Sequence, residues 1–373
     1  AYRQAAGGKH SPESLNAELY PYQEQGFRWL KASCDVGIGG ILGDEMGLGK
    51  TLQVIAVIAD RAPNTKKPSL VLAPATILDN WSREISKFAP DLVFYIHRGA
   101  KRAHFADAIL KENIDVVISS YETAVQDLGL MEMIEWDILA YDEAMYIKNP
   151  STIRFSSVQR IPRSASILMT GTPLENRTMD VWSLCENVIP GYFGDQAAFD
   201  NSIAEHPEQV RRALTPMLLR REIKDVATHL GELIHIPQAL TMFDDELEGY
   251  FNLIEQIRAE SSGPNTFKLL TRLRQYTGHP GLLNASKLND PLANSAKLSR
   301  LMELLDEIRQ NGQKALVFSQ FRVLSDLISR TASDHLGIPS AVMDGRVRAD
   351  HRQGMIDDFS DKPGAALLVL NTK

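Results

Sequence analysis

The segment Gly43–Thr51 holds the residues best suited to chemistry. It follows a short apolar run and precedes an apolar helical pattern, which is the setting that a phosphate-binding loop requires. Gly47 and Gly49 allow the backbone to turn sharply and to approach a phosphate group closely. The N–H groups freed by such a turn, together with a helix N-terminus, favour negative charge. We expect Lys50 to reach the β- and γ-phosphates of a nucleoside triphosphate and the Thr51 hydroxyl to hold magnesium.

One position in this loop departs from the usual pattern GxxxxGK[ST], because Asp44 stands where the first glycine belongs. The setting between a strand and a helix still favours a phosphate loop over a chance occurrence of GxGKT. The predicted nucleotide-binding residues of the loop are Asp44, Gly47, Leu48, Gly49, Lys50 and Thr51.

Two acids, Asp142 and Glu143, directly follow the apolar run Ile138–Tyr141. At the tip of a parallel strand, we expect Asp142 to approach the magnesium shell and Glu143 to orient or deprotonate the attacking water. Alone, such a pair is as easily a solvated strand end. Together with the phosphate loop it predicts a hydrolytic site whose catalytic residues are Lys50, Asp142 and Glu143.

The segment Thr170–Pro173 ends a further apolar run. Its small hydroxyl residues could form hydrogen bonds between a nucleotide site and a second domain. On the segment alone, a Gly-Pro turn is the simpler interpretation.

Short apolar runs alternate with longer helical patterns from Leu19 to about Asn187. The runs are Gly39–Leu42, Leu70–Ala73, Leu92–Ile96, Val116–Ser119, Ile138–Tyr141 and Ile167–Met169. The helical patterns are Lys50–Asp60, Ile77–Phe88, Lys101–Glu112, Thr152–Gln159 and Thr178–Val188. Continuous apolar strands that alternate with helices indicate a parallel sheet covered on both faces. We therefore predict a doubly wound α/β domain whose ligands lie at the carboxyl ends of its strands.

The pattern changes after Gly191 and stays mostly helical and charged, without clear strands, to about Asn294. A second α/β pattern starts at Ser295, which could cap a helix. The expected helices of the second half are Glu246–Glu260, Phe267–Tyr276, Val323–Ala332 and Asp350–Phe359, and the expected strands are Ala315–Phe318, Ser340–Met343 and Ala366–Leu370. We divide the chain into a flexible leader (1–14), a first α/β lobe (15–225), a helical linker (226–294) and a partial second lobe (295–373).

The composition is that of an ordinary globular protein. The 40 basic and 47 acidic residues give a net charge of −7, which does not favour a nucleic-acid partner. It does not exclude one, because binding depends on local basic patches. Cys34 and Cys185 are expected to be buried thiols, and the nine histidines lack metal-ligand spacing. No apolar run reaches the roughly 18 residues that a membrane span needs.

Several segments resemble the motifs of one family, the Swi/Snf-related branch of the superfamily-two helicase-like ATPases. In the first half they are LYPYQEQGFRWL, DEMGLGKT, LVLAPATILDNWSREISKF, VVISSYET, DEAMYIKN and LMTGTPLEN. In the second half they are LLRREIKDV, LRQYTGHPGLL, SAKLSRLMELL, KALVFSQF and MDGRVRADHRQGMIDDF. They extend from Leu19 to Thr372 in the family order, so the resemblance covers nearly the whole chain.

The resemblance implies an α/β protein of two RecA-like lobes, the second truncated, that binds ATP, magnesium and double-stranded DNA. Relatives of this kind move along double-stranded DNA, and many remodel nucleosomes or strip proteins from DNA. Gln23 is implied to pair with the adenine edge, and Thr170, Gly171 and Thr172 to couple the ATP state to DNA contact. Sequence-independent, salt-sensitive contacts with the DNA backbone are implied for Pro74, Thr76, Ser119, Tyr121, Ser319 and Gln320. The implied location is the nucleus in a eukaryote, or the cytoplasm or nucleoid in a bacterium or archaeon.

Two features depart from the family pattern. The family usually has histidine after Asp-Glu-Ala, where this chain has Met145. Because methionine cannot donate a hydrogen bond, we expect the link from this loop to the coupling segment to be lost or rerouted. The sequence also stops at Lys373, where the family's fifth motif begins, before the arginines that face the γ-phosphate. Since such an arginine contributes about 10³–10⁵ to turnover, we expect these residues alone to bind ATP and to hydrolyse it slowly.

Two other functions stay open. The chain could be an RNA-directed helicase of the same superfamily, although Thr-Gly-Thr-Pro differs from the Ser-Ala-Thr coupling motif of RNA helicases. It could also be a non-catalytic relic of a motor that binds DNA or a partner protein, an interpretation that Met145 supports.

Two further features have alternative interpretations. Arg220 and Arg221, with Lys224, are either a basic element that steers DNA or braces the junction of the lobes, or a solvated helix face. Trp81 lies at helical spacing from its apolar neighbours, so we expect it in the core rather than on the surface as a base-stacking platform.

Overall fold

The structure, a computed structural model, describes residues 12, 14–103, 106–110, 112–171, 178–226, 235–259 and 266–371. It forms two compact units, residues 1–232 and residues 233–373. No helix in these described ranges is both long enough and apolar enough to cross a membrane.

Unit 1 is organised around a sheet of seven parallel strands. They are β1 (Gly39–Leu42), β2 (Ser69–Ala73), β3 (Phe94–His97), β4 (Val116–Ser120), β5 (Trp136–Tyr141), β6 (Arg163–Met169) and β7 (Leu218–Leu219). Their order across the sheet is β3-β4-β2-β5-β6-β1-β7. In register, Gly40 pairs with Ile167 and Leu72 with Tyr141. The predicted parallel α/β fold is therefore confirmed.

Eleven α-helices of the described residues belong to unit 1. They are α1 (Pro21–Asp35), α2 (Lys50–Arg61), α3 (Leu78–Phe88), α4 (Ala106–Leu110), α5 (Tyr121–Gln126), α6 (Leu128–Glu132), α7 (Ile153–Gln159), α8 (Thr178–Val188), α9 (Gln196–Glu205), α10 (Pro207–Leu214) and α11 (Ile223–Val226). Several begin at a side-chain cap, as when Thr152 Oγ accepts a hydrogen bond from the N–H of Phe155. Such a cap satisfies an N–H group that the helix itself leaves unpaired.

Apolar cores lie on both faces of this sheet. Alternate residues of a strand point to opposite faces, so Val71 packs with α1, α2 and α3, whereas Leu70 and Leu72 pack with the helices of the other face. The two cores hold the strands from both sides, which explains why the strands read as continuous apolar runs.

Two expectations for unit 1 were wrong. A strand, β7, lies in the region after Gly191 where none was expected, because a two-residue strand is too short to show periodicity. Backbone pairing maintains it: the N–H of Ile41 donates to Met217 O over 2.7 Å. The expected helix Lys101–Glu112 is shorter in the described residues, where a 3₁₀ turn at Gly99–Lys101 precedes α4.

Among its described residues, unit 2 has a three-stranded parallel sheet and five α-helices. The strands are β8 (Lys314–Ser319), β9 (Ser340–Met343) and β10 (Ala366–Asn371), in the order β8-β10-β9. The helices are α12 (Asp244–Ala259), α13 (Thr266–Gly278), α14 (Ala296–Gln310), α15 (Arg322–Leu336) and α16 (Ala349–Asp361). Ser295 caps α14 as expected, since its Oγ accepts from the N–H of Leu298.

Candidate active site

The sheet order of unit 1 brings three of the predicted segments together. Strands β5, β6 and β1 are neighbours, and all run in the same direction. The residues that follow them therefore meet at one edge of the sheet: Asp142 and Glu143 after β5, Thr170 and Gly171 after β6, and the phosphate loop, Gly43–Gly49, after β1. This edge is where ligands bind in open parallel α/β sheets.

The phosphate loop turns through two glycines in left-handed backbone conformations. The φ angles of Gly47 and Gly49 are 92° and 72°, which other residue types rarely adopt. A Cβ atom at Gly49 would also lie 2.5 Å from Nε2 of Gln23. Lys50 then begins α2, so the loop delivers its backbone to a helix N-terminus, as anion binding requires.

Lys50 is folded back onto this loop. Its Nζ donates to the carbonyl oxygens of Asp44 over 2.8 Å and of Glu45 over 3.3 Å. Burial lowers the pKa of Lys50, whereas the negative charges of Asp44, Glu143 and Asp142 raise it. The ammonium group is therefore within electrostatic reach of the acidic pair that follows β5. Thr51 is half-buried at the second position of α2.

The carboxylate of Asp142 is fixed by two N–H donors. Oδ1 accepts from the backbone N–H of Glu143 over 2.9 Å, and Oδ2 accepts from the indole N–H of Trp81 over 2.8 Å. Burial raises the pKa of Asp142, and these two hydrogen bonds and the charge of Lys50 oppose the rise. A carboxylate accepts at about four lone-pair sites, so two donors leave room for another ligand.

Glu143 has a strained backbone. Its φ and ψ are 49° and 58°, in the left-handed region that non-glycine residues enter at a cost of about 1–3 kcal/mol. Its side chain is half-buried, and burial followed by the charge of Asp142 raises its pKa. A carboxyl group with a raised pKa is a better proton acceptor, which suits a general base.

The donor set at this edge fits magnesium held together with a nucleotide. In the described ranges no group of three or more His, Cys, Asp and Glu side chains is placed to hold a metal ion. Magnesium bound with phosphates needs only one or two protein carboxylates beside the phosphate oxygens. One carboxylate, Asp142, and one hydroxyl, Thr51, match that requirement.

The segment after β6 lies beside the phosphate loop. Thr170 is 1% exposed, and its N–H donates to Leu42 O over 3.2 Å. A Cβ atom at Gly171 would lie 2.9 Å from Cγ of Met46 in the loop. The third predicted coupling residue, Thr172, lies outside the described residues. Met145 is 40% exposed and belongs to a 3₁₀ turn, Ala144–Ile147, directly after Glu143.

Gln23, predicted to pair with adenine, is 5% exposed and lies against the phosphate loop. Its Oε1 accepts from the N–H of Tyr20 over 3.0 Å, and its Nε2 donates to Leu48 O over 3.2 Å. The carboxamide therefore joins the start of α1 to the loop. An amide oxygen accepts two hydrogen bonds and an NH2 group donates two, so these two bonds do not use up the capacity of the carboxamide to pair with a base.

The predicted DNA contacts of unit 1 lie at the ends of β2 and β4. Thr76 is exposed and Pro74 half-buried in the turn that follows β2. The side chains of Ser119 and Tyr121 are buried: Ser119 Oγ donates to His97 O over 3.2 Å, and Tyr121 Oη donates to Asp142 O over 2.7 Å. Both hydroxyl groups are buried and donate to backbone carbonyls within the protein. The bond from Tyr121 also holds the backbone of Asp142 in place.

The remaining predicted DNA contacts, Ser319 and Gln320, lie in unit 2 at the end of β8. Ser319 is buried and Gln320 exposed. Both line a cavity of about 530 Å³ together with three basic residues, Arg274, Lys297 and Arg300. Lys297 Nζ donates to Thr277 O over 2.7 Å, and Arg300 pairs with Glu303.

At the site in unit 1, the contacts of two residues were not predicted from the sequence. Trp81 is in the core as expected, but its hydrogen bond to Asp142 was not foreseen. A buried indole N–H requires an acceptor, which was the available clue. Arg221 is 8% exposed and pairs with Asp44, so the hypothesis of a solvated helix face is wrong for this residue. The clue there was a buried acid in the loop, since a buried charge needs a partner.

Comparison with known proteins places this chain in a family. Residues 22–282 match the SNF2-related domain, and residues 296–373 match the helicase conserved C-terminal domain. The ATPase ISW1 of the ISWI chromatin-remodeling complex of Saccharomyces cerevisiae is 31% identical over 397 residues, which cover 98% of this chain and 35% of that protein. The ATP-dependent DNA helicase DDM1 of Arabidopsis thaliana is 29% identical over 409 residues, covering 97% of this chain and 53% of that one. The chain thus spans between about a third and a half of the length of these relatives.

A solved structure agrees with the sequence relatives. The SWI2/SNF2 ATPase core of Sulfolobus solfataricus in complex with double-stranded DNA has a TM-score of 0.57 and 29% identity, and the match covers 98% of this chain and 80% of that one. A structure of the Sulfolobus solfataricus SWI2/SNF2 ATPase core domain also matches, with a TM-score of 0.57 and 29% identity, and the match covers 99% of this chain and 79% of that one. Because the SNF2-related domain matches residues 22–282, more than half of this chain, and the fold is shared with these cores, the chain belongs to the SNF2-related family of helicase-like ATPases.

Proposed function

We propose that this chain is the ATPase core of a motor that couples ATP hydrolysis to movement along double-stranded DNA. The observation that carries the proposal is the arrangement of Lys50, Asp142 and Glu143 at one sheet edge. The lysine of the phosphate loop and the two acids are close enough to shift one another's pKa values. Family membership supports the hydrolytic interpretation of this arrangement.

Each residue of the edge has a role in the proposed chemistry. The backbone of Gly47, Leu48 and Gly49 binds the β- and γ-phosphates, and Lys50 exchanges the carbonyl oxygens of the loop for phosphate oxygens. Thr51 and Asp142 hold magnesium, which neutralises phosphate charge when bound. Glu143 orients the attacking water and accepts its proton.

The segment after β6 is the proposed coupling element. Thr170 and Gly171 lie between the phosphate loop and the acidic pair, because β6 lies between β1 and β5. A movement of the phosphate loop or of the acidic pair would therefore act directly on this segment. With Thr172, it would pass the nucleotide state on to DNA contact and to closure of the two lobes on the DNA backbone. Met145 follows the acids, and replacing it with histidine tests whether a donor there raises stimulation by DNA.

Double-stranded DNA is the proposed partner, with nucleosomes or other DNA-bound proteins as the objects moved. The exposed Thr76 with Pro74, and the exposed Gln320 with Ser319, are proposed backbone contacts. For Ser119 and Tyr121, burial restricts direct contact to their backbone groups. Contacts of this kind neutralise phosphates, so the affinity for DNA should fall steeply with salt despite the net charge of −7.

The first test compares Lys50→Ala with a matched control, Lys66→Ala, whose side chain is exposed away from the loop. ATP binding and single-turnover hydrolysis are measured with duplex DNA, single-stranded DNA and RNA. We expect Lys50→Ala to lower turnover about 10²–10³-fold, as the loss of one transition-state donor does, and Lys66→Ala to behave as the unsubstituted chain. Stimulation by duplex DNA alone supports the motor.

The same assay decides between the alternatives. Stimulation by RNA and not by duplex DNA indicates an RNA-directed helicase. DNA binding without any effect of Lys50→Ala, in this chain or in the full-length gene product, indicates a non-catalytic relic. Slow hydrolysis by these 373 residues alone is a prediction of its own, which the measured turnover of the isolated chain checks.

A further inference from the structure

A buried polar cluster lies directly behind the phosphate loop. Its members are Asp44, Gln53 and Arg221, and their exposed fractions are 0%, 0% and 8%. Asp44 belongs to the loop, Gln53 to α2, and Arg221 follows β7. Burying three polar groups together is costly unless each is hydrogen-bonded.

The guanidinium of Arg221 is the centre of this cluster. Its Nε donates to Asp44 Oδ1 over 2.9 Å and its Nη2 donates to Asp44 Oδ2, so the pair is bidentate. Nη2 also donates to Gln53 Oε1 over 2.9 Å, and Nη1 donates to the backbone carbonyl of Tyr22. A planar fork matched to a carboxylate fixes orientation as well as distance.

Helix α1 is shaped to leave room for this arginine. A Cβ atom at Gly26 would lie 2.8 Å from Nη2 of Arg221 and 1.8 Å from Oε1 of Gln53. No side chain at that position fits beside the cluster as it stands. Helices α1 and α2, the loop and the segment after β7 therefore all enclose one guanidinium.

Backbone hydrogen bonds join the loop to the segment that carries Arg221. The N–H of Gly43 donates to Leu219 O over 2.8 Å, and the N–H of Glu45 donates to Arg221 O over 2.9 Å. Glu45 Oε2 in turn accepts from the N–H of Ile223 over 2.7 Å. The first half of the phosphate loop thus continues the pairing of β1 with β7 beyond the end of either strand.

We infer that Arg221 is a positioning residue, which holds the phosphate loop in its nucleotide-binding conformation through Asp44 without touching the nucleotide. The carbonyl oxygens that accept from Lys50 belong to Asp44 and Glu45, the two loop residues that Arg221 fixes. A shift of Arg221 would therefore move the two carbonyl oxygens to which Lys50 donates. The inference rests on the proposed function, since it requires that this loop binds ATP.

The test is a double-mutant cycle on ATP affinity, measured with a fluorescent ATP analogue and magnesium. Arg221→Lys keeps the charge and loses the fork, and Asp44→Asn keeps the shape and loses the charge. We expect each to weaken binding about tenfold or more, the loss of one charge-assisted contact. If Arg221 acts through Asp44, the double variant should bind no worse than the weaker single variant. The matched control is Arg220→Lys, whose side chain is exposed and whose affinity should be unchanged.

Additive losses in the double variant, or an Arg221→Lys chain that folds and binds ATP as tightly as the unsubstituted chain, would overturn the inference. Folding is checked by circular dichroism and by melting without nucleotide. If a variant does not fold, the rate of amide hydrogen exchange is measured instead in residues 43–51 and 217–226 of the unsubstituted chain. ATP should slow exchange in both segments, and protection confined to the loop counts against Arg221. An unsubstituted chain that binds no ATP refutes the proposed function itself, whereas binding that is insensitive to Arg221 refutes only this inference.

Discussion

The indole N–H of Trp81 donates a hydrogen bond to Oδ2 of Asp142 over 2.8 Å. Trp81 is 1% exposed in the apolar core of unit 1, and Asp142 is the first residue after β5. A core residue of α3 therefore sets the orientation of the carboxylate that we propose as a magnesium ligand. Ligating carboxylates are commonly held in this way by groups that do not touch the metal.

Replacing Trp81 by phenylalanine should weaken the response to magnesium. The substitution removes the N–H donor and leaves most of the packing, so Asp142 loses one of its two fixed donors. We expect about 10–100-fold more magnesium to be needed for half-maximal ATP hydrolysis, as for other losses of a group that orients a ligand. The measurement is a magnesium titration of ATPase activity.

The matched control for that substitution is Trp136→Phe. Trp136 is also fully buried, and its N–H donates to Met131 O over 2.9 Å, in the core of the opposite face. Trp136→Phe should lower the melting temperature about as much as Trp81→Phe does, without shifting the magnesium titration. Equal shifts for the two variants would show that the effect is loss of packing alone.

Glu143→Gln should separate binding from hydrolysis. The amide keeps the size of the side chain and cannot accept the proton of water, so turnover should fall about 10²–10⁴-fold. ATP affinity should stay within a few-fold, because Glu143 is not among the proposed phosphate or metal contacts. Glu135→Gln is the control, since Glu135 is an exposed acid paired with Lys67 before β5. Loss of ATP binding in Glu143→Gln would contradict the assigned role.

Asp137→Ala should affect stability and not chemistry. Asp137 is 3% exposed at the start of β5 and forms a bidentate pair with Arg61, with N–O distances of 2.8 and 2.9 Å. Arg61 is partly exposed and keeps its pair with Asp35, with Nη1–Oδ1 at 2.7 Å, so the loss should be about 1–3 kcal/mol, less than for a fully buried pair. Chemical denaturation should show this loss. Activity per folded molecule should be retained, since Asp142 lies at the other end of the strand.

The two cysteines should react slowly in the folded protein. Burial raises the pKa of both Cys34 and Cys185 to about 12, so almost no thiolate exists at neutral pH. Their exposed fractions, 2% and 1%, also exclude a reagent. A colorimetric thiol reagent should label neither residue rapidly in buffer and both in denaturant. Fast labelling of the folded chain would mean that unit 1 opens readily.

The sequence predicts best those features that depend on neighbouring residues. The phosphate loop, the acids after β5 and the cap at Ser295 each rest on a local pattern, and the structure has the corresponding strands, helices and cap. Long-range pairs lack such a pattern. Asp44 and Arg221 are 177 residues apart, and Trp81 and Asp142 are 61 apart. Each buried polar group needs a hydrogen-bond partner, but which residue becomes its partner is decided only when the chain folds.

The strand β7 shows the same limit at the level of secondary structure. Leu218 and Leu219 form a strand because β1 offers unpaired backbone groups beside them, not because two leucines prefer to be extended. The roles of Gln23, Thr172 and the proposed DNA contacts stay predictions, because they concern ligands and not contacts within the chain.

The short strand β7 has one further consequence. Without it, β1 would end the sheet with a row of bare N–H and C=O groups, and such an edge readily recruits a strand from another molecule. Leu218 and Leu219 pair with Ile41 and Leu42, so the edge on this side is a two-residue strand, which offers another chain little backbone to pair with. A fragment that stops before Met217 should therefore self-associate, even though it retains the whole phosphate loop and both acids.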